Sequence, residues 1–327
     1  MKVLVTGGAG YIGSHFVKHL SSKGVHEVLV LDNLSTGHLD ACENVRFIQM
    51  DLADFAAVEA IIRKFKFEAV VHFAASSLVS ESVTFPFRYY QNNTVNTLNL
   101  INVSAVAGVK FFIFSSTAAV YGEPHVSEVP IAEDCPLNPI NPYGKAKLAS
   151  EWALCDVANV SGMRYGILRY FNVCGADREG RLGESHEPET HIIPLLAKTA
   201  LGKRSSFSVF GQDYDTPDGT CIRDYVDVED LASAHFDVLN YLAAGNDSNI
   251  FNCGYGHGYS VQEVIAAMQK AAGRTISTVS AARRVGDPSV LIADANRLRQ
   301  LTGWKPKNND LINICESVLK WEKNPRY

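Results

Sequence analysis

Short apolar runs separated by amphipathic stretches dominate the first half of the chain. Val3-Leu4-Val5 ends at a glycine, and Tyr11 to Leu20 then carries a helical pattern. Glu27 to Leu31 is a second apolar run, closed by Asp32, and Arg46 to Met50 is a third, closed by Asp51. Val70 to Phe73 and Lys110 to Phe114 follow, with helical stretches between them. A strand with one wet face alternates apolar and polar residues. These runs do not alternate, so both of their faces are buried. Apolar strands alternating with helices predict an α/β fold, a Rossmann-like, doubly wound parallel sheet.

Beyond about Asn172 the texture changes. Gly175 to Thr190 is rich in Gly, Glu and Arg and reads as a loop or flap. Ser206 to Thr220 reads as a strand followed by a turn-rich loop. Val228 to Leu242, Val261 to Ala272 and Leu311 to Lys323 read as helices. The expected division is a main body over 1–173 and a smaller α/β C-terminal lobe over 174–327. A segment of about 223–252 is expected to return to the body.

Composition narrows the picture without specifying it. A chain of 327 residues is long enough to bury a sizeable core. A net charge of −5 gives no electrostatic reason to expect nucleic acid or an anionic membrane as a partner. The seven cysteines are scattered and form no CxxC pair. They read as free thiols in a reducing compartment, with neither a disulfide framework nor a zinc site, and no metal is expected. No secretory signal precedes the first strand and no apolar run is long enough to span a bilayer. The cytoplasm is the expected location.

Candidate chemistry begins at the first turn. Thr6-Gly7-Gly8-Ala9-Gly10-Tyr11-Ile12-Gly13 joins the first predicted strand to the first predicted helix. A glycine string alone marks any tight turn. With a strand before it and a helix after it, Gly7, Gly10 and Gly13 form a dinucleotide fingerprint. The first glycine permits the turn, the second lets backbone reach a pyrophosphate, and the third lets helix and strand pack closely. Asp32 ends the second strand at the spacing where a carboxylate bonds the ribose diol. It would repel a 2′-phosphate, and no Lys or Arg from Asp32 through Glu43 could accept one. The expected cofactor is therefore NAD.

Tyr143 and Lys147 stand four residues apart, so on a helix they share one face. A free phenol titrates near 10, about three units too high for a base at neutral pH. A nearby ammonium and a positive nicotinamide ring would favour the phenolate. Ser115-Ser116-Thr117 follows an apolar strand, so Thr117 belongs at a carboxyl strand end, where open α/β sheets bind ligands. The Pro-rich stretch from Pro130 to Pro142 gives the tyrosine helix a rigid, non-helical approach.

The glycine loop, Ser-Ser-Thr and Tyr-x-x-x-Lys, in this order, resemble the extended short-chain dehydrogenase/reductase family, most closely its UDP-hexose 4-epimerases. Supporting segments are VTGGAGYIGSH, DNLSTG, FIFSSTAAVYG, NPYGKAKL, LRYFNVCGA, GTCIRDYVDVEDLA and ARRVGDP, which span nearly the whole chain. The resemblance implies an isomerase, usually a homodimer, that holds NAD through turnover. It implies catalytic roles for Tyr143, Lys147 and Thr117. It implies cofactor contacts from Gly7, Gly10, Tyr11, Ile12, Gly13, Asp32, Asn33, Asp51, Leu52, Phe73, Ala74, Ala75, Asn92, Tyr143, Lys147 and Phe171. For a UDP-sugar it implies Thr117, Tyr143, Asn172, His191, Ser208, Val209, Phe210, Arg223, Arg284, Asp287 and Leu291.

Two of these positions depart from the family's pattern. His191 stands where many relatives have asparagine. Leu291 occupies the position that sets pocket width at the hexose, where tyrosine narrows the site and a small residue admits an N-acetyl group. Leucine is intermediate, so UDP-glucose and UDP-galactose are the expected pair, with their N-acetyl analogues, UDP-glucuronate and UDP-pentoses as alternatives. A 4,6-dehydratase on the same scaffold needs an Asp-Glu pair after the threonine, and here Ala118-Ala119 follow Thr117. A non-catalytic NAD sensor would not need Tyr143 or Lys147.

Overall fold

The computed structural model describes every residue except Val25, Val285 and Gly286, and leaves the Val126 side chain undescribed. Its strands in chain order are β1 (Lys2–Thr6), β2 (Glu27–Asp32), β3 (Arg46–Gln49), β4 (Ala69–His72), β5 (Phe111–Ser115), β6 (Arg164–Tyr170), β7 (Asn172–Cys174), β8 (Phe207–Phe210), β9 (Ile222–Arg223), β10 (Tyr225–Asp227), β11 (Asn249–Cys253), β12 (Tyr259–Ser260), β13 (Thr278–Ala281) and β14 (Val290–Leu291). Seven of them form one parallel sheet in the order β11-β6-β5-β4-β1-β2-β3. The chain winds outward one way from β1 to β3, then crosses back and winds the other way from β4. The crevice between β1 and β4 is thus a topological switch point, the place where such sheets bind ligands.

The apolar runs serve two cores at once. Val3, Val5, Val28, Val30, Ala69, Val71 and Ile113 feed the core on one face. Leu4, Leu29, Leu31, Val70, Phe112 and Phe114 feed the other. Side chains alternate across a strand, so a strand covered on both sides needs apolar residues at every position. The helices Tyr11–Ser22 and Val228–Ala243 pack together over the first core, while Phe55–Phe65, Asn96–Val106 and Pro142–Ser161 cover the second. After helix Val228–Ala243 the chain re-enters the main sheet, where β11 becomes an edge strand beside β6.

A third core lies among the helices Ile192–Ala200, Val261–Ala272 and Leu311–Lys323, beside the parallel pair β8 and β13. A small fourth cluster joins the two regions. It packs Ala118, Val120, Tyr121, Leu148 and Phe171 against Ile131 and Ala293, with Leu291 on its edge. No helix among the described residues is long and apolar enough to cross a membrane. All seven cysteines are free thiols.

Candidate active site

The chain turns as soon as β1 ends. Gly7 has φ +73°, and a Cβ there would lie 2.4 Å from the Ala74 backbone nitrogen. Any side chain would force the ends of β1 and β4 apart. A Cβ on Gly13 would lie 2.1 Å from the Gly7 carbonyl oxygen, so the helix can sit this close only as glycine. Gly10 differs, since a Cβ there would meet a single atom, the Gly7 oxygen at 3.4 Å. Gly10 is also the N-cap of helix Tyr11–Ser22, with no side-chain cap and no acid in the first turn. The leading N–H groups and the positive helix end are therefore free to meet an anion across open space. This loop fits a dinucleotide pyrophosphate.

Asp32 is only 7% exposed. Its carboxylate accepts the Ala9 N–H at 3.0 Å and the Leu34 N–H at 2.8 Å, bracing the glycine loop against the next turn. Each oxygen keeps a lone pair for a ribose hydroxyl. Asn33 donates to the Asp51 carboxylate at 2.8 Å, tying the ends of β2 and β3. A cavity of about 860 Å³ runs over these strand ends. Every residue expected to hold the dinucleotide, from Gly7 through Phe171, lines it.

The catalytic residues reach the same cavity through helix Pro142–Ser161. Asn141 caps this helix by accepting the Gly144 N–H at 2.9 Å, and Pro142 occupies its first turn. Gly144 lets the helix press on the Thr117 turn, because a Cβ there would lie 2.6 Å from the Ala119 carbonyl oxygen. Tyr143 is thereby delivered beside the Thr117 hydroxyl, which eases ionisation of its phenol. The Thr117 oxygen also accepts the Ala119 N–H at 3.1 Å, so capping and site roles coincide in one residue. Lys147, buried one turn further on, donates to the Ser115 carbonyl at 2.8 Å and lies 4.9 Å from the Phe114 ring centre.

The electrostatics correct one expectation. Burial pushes the Tyr143 phenol up, and the Thr117 bond only partly offsets it. Burial also brings Lys147 down to about 7, against the pull of Glu151. The Lys147 amine is turned to the Ser115 carbonyl, and desolvation of the phenolate sets the direction of the shift. The chain's own groups thus hold the phenol protonated.

Beneath the site lies a network that the sequence did not reveal. Glu151 and Arg169 form a buried pair at 2.6 Å, and Ser116 donates to the same carboxylate. Arg169 donates to the Tyr121 oxygen at 3.1 Å, and Tyr121 donates to Asn252 on β11 at 2.7 Å. The neighbours of Thr117 are therefore tied to one helix and two strands. Glu151, eight residues past Tyr143 on a helix, was the available signal, since a buried acid on an apolar face needs a partner.

The sugar side is only partly assembled around the cavity. Thr117, Asn172, His191, Asp287 and Leu291 line it, whereas Ser208, Val209, Phe210, Arg223 and Arg284 do not. Arg223 donates to the Asp287 carboxylate and to the Pro288 carbonyl, the latter at 2.6 Å. Arg283 pairs with Asp213 at 2.6 Å and lies over the Tyr214 ring. Arg284 lies 4.3 Å from the Phe210 ring centre, so it, and not Arg283, covers the strand expected near the base.

The sequence profile of the NAD dependent epimerase/dehydratase family matches residues 3–254. The chain belongs to this family. A UDP-glucose 4-epimerase of Lactobacillus helveticus is 47% identical over 99% of this chain and 98% of its own length. The solved UDP-glucose 4-epimerase from Brucella ovis in complex with NAD is 43% identical, with a TM-score of 0.93 over 97% of each chain. The UDP-Glc/GlcNAc 4-epimerase from Campylobacter jejuni is 51% identical, with a TM-score of 0.85 over 98% of this chain and 99% of its own.

Proposed function

We propose that this chain is an NAD-dependent 4-epimerase that interconverts UDP-glucose and UDP-galactose through a transient 4-keto sugar. The observation that carries the reading is that Tyr143, Thr117 and Lys147 share the wall of a cavity whose other wall fits a dinucleotide. UDP-glucose 4-epimerases that the chain matches over 92% to 98% of their own length support it. Bound NAD supplies a reversible hydride acceptor. Tyr143 takes the proton of the sugar 4-hydroxyl as the hydride leaves C4, and gives it back after the ketone has presented its other face. Thr117 holds the reacting oxygen beside the phenol. The protein groups alone keep Tyr143 protonated, so its base form depends on positive charge arriving beside it. Ala118 and Ala119 line the cavity next to Thr117 and cannot transfer protons, so a 4,6-dehydratase is not favoured.

The arginines that would meet the diphosphate are engaged elsewhere, so UDP-sugar binding exchanges the Arg223–Asp287 pair for new partners. Arg223 and Arg284 would take the phosphates, Asp287 the uridine ribose, Ser208 to Phe210 the base, and Asn172 and His191 the sugar phosphate region. Leu291 on the cavity wall leaves N-acetylhexosamines as a second substrate class. The same reading divides the chain into an NAD-binding body to about residue 173, to which a segment of about 223–252 returns, and a UDP-sugar lobe formed by the rest. It also pairs two copies, because Phe87 on helix Pro86–Tyr89 and Trp152 and Val160 on helix Pro142–Ser161 are large apolar residues 79%, 60% and 88% exposed. Sedimentation of a single 35.8 kDa species would refute that dimer. A cytoplasmic location accords with the seven free thiols.

The test is to incubate purified protein with a panel of UDP-sugars without adding NAD. Interconversion of UDP-glucose and UDP-galactose is expected. Turnover of the N-acetyl pair alone would move the assignment to that class, and no epimerised product would overturn it.

A further inference from the structure

The segment between β7 and helix Ile192–Ala200 carries Glu and His at positions 184, 186, 189 and 191. The fold gathers all four into one cluster, with a ligand-type atom of each within 4.8 Å of the others. His191 Nδ1 lies 2.7 Å from a Glu184 oxygen and 2.9 Å from a Glu189 oxygen. His186 Nδ1 approaches the same Glu184 oxygen to 3.1 Å, but without the alignment of a hydrogen bond.

Acidic clusters on a protein surface are ordinary, but the two carboxylates of this one are buried. The Glu184 and Glu189 side chains are 5% and 4% exposed. Each keeps one carboxylate oxygen that is buried without a hydrogen-bond donor, and so does the His186 Nδ1. Three buried polar atoms without partners, on three residues of one cluster, are costly unless something satisfies them. His191 Nδ1 is shared between the two carboxylates, and the Thr190 and His191 N–H groups also meet Glu189 Oε1, yet Glu184 Oε2 and Glu189 Oε2 stay without a donor. A dication balances both.

We propose that Glu184, His186, Glu189 and His191 form a binding site for one divalent transition-metal ion of the zinc class. Two imidazole nitrogens and two carboxylate oxygens are a ligand set that such ions accept in tetrahedral geometry. Calcium and magnesium, which take oxygen ligands, are disfavoured by the two histidines. The composition of the cysteines led to the expectation of no metal, and this site uses none of them. Glu184, His186 and His191 also line the active-site cavity, and the His186 ring meets Tyr11 edge-on at 6.5 Å. The ion therefore fixes the cavity wall between the start of helix Tyr11–Ser22 and the start of helix Ile192–Ala200.

The experiment uses the purified, NAD-containing protein, treated with chelator and titrated with Zn²⁺ alone by calorimetry, with metal content read by mass spectrometry. One zinc per chain is expected, together with a rise in melting temperature. Glu189→Gln and His186→Gln, each checked for folding by circular dichroism, should weaken binding by about tenfold or more. Co²⁺ in place of Zn²⁺ should give visible ligand-field absorption that both variants lose. Absence of zinc uptake by the unmutated chain would overturn the site and leave a metal-free ion-pair cluster. Equal uptake by the chain and both folded variants would also overturn it, by placing the ion elsewhere.

Discussion

On the dinucleotide side of the cleft, the groups that meet a ligand are backbone N–H groups and bare glycines at strand ends, held by Asp32 and by the sheet itself. On the sugar side they are long side chains already engaged with one another, as Arg223 is with Asp287 and Arg284 with Phe210. Backbone at a strand end costs nothing further to order when a ligand arrives. Side chains that must exchange partners lose one interaction for each they gain, so affinity there is the difference between two similar terms. The contrast accords with the proposed chemistry. A cofactor that never leaves suits a rigid half, and a sugar that must turn over between two hydride transfers suits a half with replaceable contacts.

The largest effect should come from the residue that serves both halves. Tyr143→Phe should cut turnover by about 10²- to 10⁴-fold while NAD still co-purifies with the chain. If NAD were lost as well, Tyr143 would belong to the rigid half and its role as a base would be in doubt. Next in size is Arg223→Gln. It should raise KM for the UDP-sugar by about tenfold or more, the worth of a charge-assisted hydrogen bond, with kcat and NAD content little changed. An unchanged KM would mean that Arg223 serves only its pair with Asp287.

A smaller, pH-dependent effect probes the rigid half. The folded chain brings Lys147 down from 10.5 to about 7 by burial. Between those values the unfolded chain binds the extra proton, so the lysine's cost to folding is greatest at and below pH 7 and fades as pH rises towards 10.5. Lys147→Met, although inactive, should therefore melt a few degrees higher than the parent near pH 7, with the gain shrinking through alkaline pH and vanishing only near pH 10.5. A difference that stays flat with pH would show that the amine is not desolvated as the structure places it.

The same contrast explains what was legible in the sequence. Gly7 to Gly13 and Asp32 were readable because each acts through local backbone geometry, set by a strand end and a helix start close in sequence. Tyr143 and Thr117 were readable because a helical spacing and a strand end place them. The Arg223–Asp287 pair joins residues 64 apart, and Glu151 meets Arg169 from a different element, so no local pattern announces either. Glu184, His186, Glu189 and His191 did share a spacing, but within a stretch whose glycines and charges read as a loop. The upward shift of Tyr143 was hidden for a different reason, because burial is a property of the packed site and not of a motif.

The central claim is that hydride leaves C4 and returns to it. The direct measurement is to follow UDP-galactose carrying deuterium at C4 through complete turnover and locate the label by NMR. The account predicts UDP-glucose with the deuterium still on C4. Label appearing at C6, washed into solvent, or retained on NAD with accumulation of oxidised sugar would contradict it.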